Sequence, residues 1–250
     1  MTDTPVISVR NLYKKFGSFT ANEDLNFEVY EGEIFGFLGA NGAGKTTAIR
    51  ILSGLSSPTS GKVMVAGFDA GKEPENIKRS IGYMCQKFSL YEDLTVKENI
   101  ALYGGIYGLS REQITKRTGQ LLDRLDFHRF SNSIIASLPL GLKQKLAFSV
   151  AIIHEPRIVF LDEPTGGVDP FTRRQFWEMI YEAASTGITV FVTTHYMDEA
   201  EYCDRISIMN EGRIVALDTP ANLKMKYSAA SIEDVFIMIT RPDRKVIGNR

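Results

Sequence analysis

Apolar residues in the first third of the chain recur at two-residue spacing or gather into short blocks bounded by turns. VISV (6–9) and the alternating Leu25, Phe27 and Val29 read as half-buried strands, and EIFGFL (33–38) reads as a fully buried strand running straight into glycines. A helix is expected from Lys45 to Ser53, ended near Gly54, followed by a short strand within SPTSGKVMVAG (57–67) and another at SIGYM (80–84). From about Leu90 to His154 the period becomes helical, in TVKENIALYGGIYG (95–108), REQITKRTGQLLDRL (111–125) and LGLKQKLAFSVAIIH (140–154). Strand patterns return at IVFL (158–161), ITVFVTT (188–194), RISIM (205–209) and RIVAL (213–217), with a helix from Thr172 to about Ser185. SIEDVFIMIT (231–240) opens on a capping box formed by Ser231 and Asp234, which predicts a short helix.

Strands alternating with helices of this length imply an α/β fold with a largely parallel sheet covered by helices. The helical block divides that core, so it reads as an inserted subdomain behind an N-terminal antiparallel β region. The predicted organisation is a β region and first core portion (1–88), a helical subdomain (89–154), a second core portion (155–226) and a C-terminal tail (227–250).

Composition narrows the function classes. The 250 residues, 44% hydrophobic and 24% charged, are ample for a folded core, and 29 basic residues balance 30 acidic ones. That balance offers no electrostatic case for a nucleic-acid partner. Cys85 and Cys203 match no metal-ligand spacing and are expected to be reduced thiols of a cytosolic protein. The opening residues carry no secretory signal pattern, and the longest apolar run, LAFSVAII (146–153), falls far short of the roughly 18 residues of a membrane span.

The chemistry starts at GANGAGKTT (39–47), which fits G-x-x-x-x-G-K-S/T between a strand and a helix. Gly39, Gly42 and Gly44 let successive N–H groups turn inward on a phosphate, and the following helix adds its positive end. Asn41, Ala43 and Thr47 complete the loop. Lys45 is expected to bridge the terminal phosphates, and Thr46 to offer its hydroxyl to Mg²⁺. The cradle predicts a P-loop NTPase core. RIVFLDEP (157–164) then supplies an apolar strand ending in Asp162 with Glu163 beside it. A carboxylate at a buried strand tip is costly unless paired or serving a cation, so Asp162 suits the metal and Glu163 suits the attacking water.

With these elements in place the chain resembles the ATP-binding subunit of an ABC transporter, from Val6 to about Thr240. The resemblance implies that Phe16, in KKFG, stacks on adenine. It also implies that Gln86 reaches metal and water and begins the loop that meets the membrane subunit. GGVD (166–169) matches the loop whose aspartate, Asp169, connects two nucleotide sites in a dimer. His195, ending VFVTTH, matches the histidine that senses the terminal phosphate, whereas His128 and His154 read as packing or surface residues. The family's Leu-Ser-Gly-Gly-Gln signature is here LPLGL (138–142), retaining Leu138 and Gly141. Pro139 lacks both the serine hydroxyl and an N–H, which leaves the N–H groups of Leu140, Gly141 and Leu142 as expected donors.

LPLG, SLYEDLTVKENI (89–100) and HYMDEAEYCDRISIMNEGRI (195–214) look most like type-two ABC exporters. That likeness implies a peripheral subunit on the cytoplasmic face of the membrane that binds ATP and Mg²⁺. Its partners would be a second nucleotide-binding subunit and an integral-membrane permease. Two other classes stay open: a soluble ABC-type ATPase acting on DNA or ribosomes, and a P-loop NTPase without a transport role.

Overall fold

The computed structural model describes residues 4–86 and 90–240. A four-stranded antiparallel sheet in the order β2-β1-β4-β5 comprises β1 (Ile7–Phe16), β2 (Phe19–Val29), β4 (Ser60–Val65) and β5 (Phe68–Asp69). A six-stranded sheet in the order β10-β9-β3-β8-β7-β6 follows the P-loop core expectation. Its strands are β3 (Ile34–Gly39), β6 (Ile81–Met84), β7 (Ile158–Asp162), β8 (Thr189–Thr194), β9 (Arg205–Asn210) and β10 (Arg213–Asp218). All neighbours pair in parallel except the β9–β10 hairpin.

The central parallel strands β3, β7 and β8 are buried at every position because both faces are covered, one residue up and the next down. Phe35, Phe37, Ile158, Phe160 and Phe191 point toward the antiparallel sheet and α1 (Lys45–Leu52). Ile34, Leu38, Val159, Leu161, Val190 and Val192 point to the other side, against α5 (Leu140–Ala151) and α6 (Pro170–Ser185). On the first face Phe27, Phe35, Phe37, Phe160 and Phe191 form one ring cluster, with centroids 5.3–6.2 Å apart.

The helical segment contributes α3 (Val96–Ile106) and α4 (Arg111–Leu125) ahead of α5. Thr95 and Ser110 begin α3 and α4 with complete capping boxes, closed by Glu98 and Gln113. The expected box at Ser231 and Asp234 is also formed, opening α8 (Ile232–Thr240).

Several elements differ from expectation. The first strand runs on to Phe16 instead of stopping at Val9, because register shifts and a left-handed Asn11 interrupt its alternation. The helices α2 (Pro74–Ser80) and α7 (Pro220–Tyr227) were not expected. Each is about two turns long, too short to display a period, although proline opens both. The third long helical pattern ends at Ala151 instead of His154. Lys87–Ser89, in the loop expected to meet a membrane subunit, and the tail from 241 onward lie outside the described residues.

Candidate functional site

Four adjacent strands of the parallel sheet, β3, β8, β7 and β6, deliver one element each at their C-terminal ends. The cradle follows β3, His195 follows β8, Glu163 follows β7 and Gln86 lies just beyond β6. An open parallel sheet places its ligands at this edge.

In the cradle Gly42 and Gly44 both have positive φ, 83° and 99°. At Gly44 a Cβ would come within 2.4 Å of the Ala21 carbonyl oxygen, so only glycine lets α1 start this close to β2. The Gly44 carbonyl accepts a hydrogen bond of 3.1 Å from Nδ2 of buried Asn22 on β2. Asn41, Gly42, Gly44, Lys45, Thr46 and Thr47 line an open cleft of about 410 Å³ together with Phe19, Ala21, Gln86 and Glu163. Ala43 turns its methyl into the core, and its N–H donates to the Ala40 carbonyl at 3.1 Å.

Lys45 is 4% exposed. Its ammonium donates to the carbonyls of Gly39 (2.7 Å) and Ala40 (3.2 Å) and lies 3.4 Å from Glu163 Oε1. The other carboxylate oxygen of Glu163 accepts from Gln86 Nε2 at 2.9 Å and sits 3.0 Å from His195 Nδ1. Lysine from the start of α1, with glutamine and histidine from beyond two strand ends, thus converge on one carboxylate.

Glu163 has a left-handed backbone, φ 49°, a conformation costing about 1–3 kcal/mol in a non-glycine residue. Its N–H is held at 3.1 Å by both the carbonyl and the hydroxyl oxygen of Thr193 on β8. The Thr193 hydroxyl in turn donates to Asp162 Oδ1 at 2.6 Å. Burial raises the Asp162 carboxyl above the ordinary range, opposed by the Thr193 hydrogen bond and, more weakly, by Lys45 and Arg50. A cation beside Asp162 would favour its charged form. Thr46, Asp162 and Gln86 offer a hydroxyl, a carboxylate and an amide oxygen, the hard oxygen donors that suit Mg²⁺. Among the described residues no group of three or more His, Cys, Asp or Glu could hold a metal, so phosphate oxygens would have to complete such a shell.

Pro139, Gly141 and Asp169 border a different cleft, of about 530 Å³, which contains none of the cradle residues. Pro139 caps α5, and its carbonyl accepts from the N–H groups of both Leu142 (3.0 Å) and Lys143 (3.1 Å). The expected donor set is therefore corrected: Leu142 spends its N–H inside the helix, and the N–H groups of Leu140 and Gly141 make no hydrogen bond among the described residues. At Gly141 a Cβ would meet Thr172 Cγ2 at 2.6 Å, so glycine seats the start of α5 on the first turn of α6. Asp169 caps that turn, accepting from the Thr172 N–H (3.0 Å) and hydroxyl (2.6 Å), and these bonds lower its carboxyl.

Phe16 and Phe19 are partners across the tip of the β1–β2 hairpin, and both are exposed. Phe19 borders the cleft, whereas Phe16 lies under the Lys14 ammonium, 4.9 Å from its ring centroid. Sequence reasoning passed over Asn22, Thr193, Phe19 and Gln144, whose amide donates to the Gly166 carbonyl at 3.1 Å. A hydroxyl inside an apolar strand was the available signal for Thr193; Asn22 had none.

The ABC transporter family matches residues 22–166. The chain is 47% identical over 219 residues to the probable multidrug ABC transporter ATP-binding protein YbhF of Escherichia coli, covering 88% of this chain and 38% of that protein. It is 36% identical to the linearmycin resistance ATP-binding protein LnrL of Bacillus subtilis, covering 87% of this chain and 70% of that one. Against a solved ATP-binding subunit of an ABC transporter the TM-score is 0.84 at 30% identity, covering 94% of this chain and 99% of the other. The cradle, the strand-end carboxylates and these likenesses lead to one assignment: the chain belongs to the ABC transporter ATP-binding family.

Proposed function

We propose that the chain hydrolyses ATP as one of a pair of cassettes and thereby drives export through a separate integral-membrane permease. The observation carrying the hydrolytic part is the convergence of Lys45, Gln86 and His195 on the Glu163 carboxylate. A carboxylate held by three groups from three parts of the chain would be oriented to accept a proton from an attacking water. The cradle N–H groups and Lys45 would hold the phosphates, with the Lys45 ammonium passing from the Gly39 and Ala40 carbonyls to phosphate oxygens. Thr46, Asp162 and Gln86 would hold Mg²⁺, which when bound neutralises charge on the phosphates. His195 would contact the terminal phosphate, and an aromatic at the hairpin tip, Phe16 or its neighbour Phe19, would stack on the base.

The pairing rests on the second cleft. Backbone donors at Leu140 and Gly141, unpaired among the described residues, would offer an anion-binding surface beside Asp169. A second copy or a related cassette would bring that surface over the terminal phosphate. A similar chain, 26% identical with a TM-score of 0.77, is dimeric in a post-hydrolysis state bound to ADP and Pi. Export is supported by the names of the relatives, which include multidrug, linearmycin resistance and doxorubicin resistance ATP-binding proteins. Among the described residues no helix is long and apolar enough to cross a membrane, so a peripheral position on the cytoplasmic face requires the permease as anchor. Balanced charge continues to disfavour a nucleic-acid partner.

The test is hydrolysis by the whole chain with Mg²⁺ and ATP. Glu163→Gln should retain ATP affinity and lose about 10²- to 10⁴-fold in turnover, the span of a lost general base. Parent-like turnover in that variant would overturn the role given to Glu163.

A further inference from the structure

Behind the catalytic edge lies a carboxylate that the proposed reaction does not use. Glu199, in the 3-10 stretch Met197–Tyr202 between β8 and β9, is 0% exposed. One of its oxygens accepts a short hydrogen bond from the Thr165 hydroxyl, and the other accepts from the Thr194 hydroxyl at 2.5 Å. Thr165 stands two residues after Glu163, and Thr194 immediately precedes His195. The guanidinium of Arg173 on α6 brings Nε to 3.6 Å from Glu199 Oε1, and its Cζ lies over the ring of Tyr196, the residue after His195, 4.1 Å from the centroid.

We propose that Glu199 is a positioning residue which fixes Glu163 and His195 relative to each other. The inference rests on reading that pair as hydrolytic. Stability alone gives no reason for a charge here: a fully buried carboxylate costs several kcal/mol to desolvate, and well-packed apolar residues commonly serve a fold as well or better. What a carboxylate does uniquely is accept from two hydroxyls at once while facing a guanidinium. Those two hydroxyls belong to the loops carrying the base and the histidine.

Such a clamp would act at Glu163, whose left-handed backbone is held on both sides. Thr193 holds the N-terminal side through the Glu163 N–H. Glu199 holds the C-terminal side through Thr165, helped by the Gln144 bond to the Gly166 carbonyl. Arg173 extends the clamp. Its own N–H donates to the Asp169 carbonyl at 3.0 Å, in the first turn of α6 beside the second cleft. Its Nε–H makes no hydrogen bond among the described residues, so a shift of a few tenths of an ångström would close a charge-assisted bond to Glu199. A displacement at Asp169 therefore reaches the Glu163–His195 pair through one arginine and one glutamate.

The experiment measures turnover and the affinity for a fluorescent ATP analogue in the full chain. Glu199→Gln keeps the shape and removes the charge. It should lower kcat by about tenfold or more while affinity stays within about twofold, because displacing a reacting group by even 1 Å costs up to roughly 10²-fold. Thr165→Val should lower kcat in the same sense and Thr165→Ser should restore it. The double variant Glu199→Gln, Thr165→Val should fall no further than Glu199→Gln alone. A kcat within about twofold of the parent, or affinity falling in step with kcat, would overturn the positioning role. Where Glu199→Gln does not fold, the Thr165 pair decides: parent-like turnover in Thr165→Val refutes the clamp. A parent chain without Mg²⁺-dependent hydrolysis would instead refute the hydrolytic reading itself, which is a separate result.

Discussion

The two clefts differ in how finished they are. At the sheet edge every charged group is already engaged. Lys45 is bonded to two carbonyls and faces Glu163, Glu163 is held by Gln86 and His195, and Asp162 is held by Thr193. At the start of α5 the cleft shows two backbone N–H groups, a half-exposed Leu140 and an aspartate that caps its own helix. In the proposed reaction the first region would be a centre assembled by one chain, and the second a binding edge that a second cassette would complete. The contrast teaches where a change should be felt: at the sheet edge in one chain with nucleotide, at α5 only when two cassettes meet.

The largest effect on binding should follow Lys45→Ala. Charge-assisted hydrogen bonds contribute about 1.5–3 kcal/mol each, so ATP affinity of the isolated chain should drop roughly ten- to a hundredfold in a titration. Unchanged affinity would remove the cradle from the account. A smaller effect is expected from the double substitution Pro139→Ser, Leu140→Gly, which brings back a hydroxyl and a flexible amide. Since one lost donor of this kind costs roughly 10²- to 10³-fold, partial recovery of about tenfold in turnover is expected, with no change in affinity of the lone chain. A gain in lone-chain affinity would erase the distinction between the clefts.

The smallest effect concerns stability. Burial raises the Asp162 carboxyl, so between its unfolded and folded values the native state holds more protons than the unfolded one. Stability therefore falls as pH rises through that window, and the cost is fully present above it. Asp162→Asn should melt higher than the parent at neutral pH, and the gap should close as pH falls toward the acidic end. A lower Tm at neutral pH would mean that the charge stabilises the apo fold.

The sequence-to-structure relation follows the same division. Residues at strand tips were legible because a parallel sheet aligns its ends: Lys45, Glu163 and His195 could be placed without contacts, from the strands that precede them. Residues whose role is a sideways contact were not. Asn22 reaches Gly44 from another sheet, Thr193 reaches across to Asp162, and Glu199 reaches Thr165, 34 residues before it. No local period encodes such pairings. The signature donors were partly legible: the helix start at Pro139 was readable, but the tight bond from Leu142 back to Pro139 was not. The short helices α2 and α7 escaped because two turns carry too few apolar positions to set a rhythm.

ATP should join two cassettes across these clefts, and the mass of Glu163→Gln in solution reports whether it does. By analytical ultracentrifugation the variant should sediment as one chain without nucleotide and with ADP, and as two chains with Mg²⁺ and ATP. A single-chain mass in saturating ATP, with nucleotide bound, would contradict it.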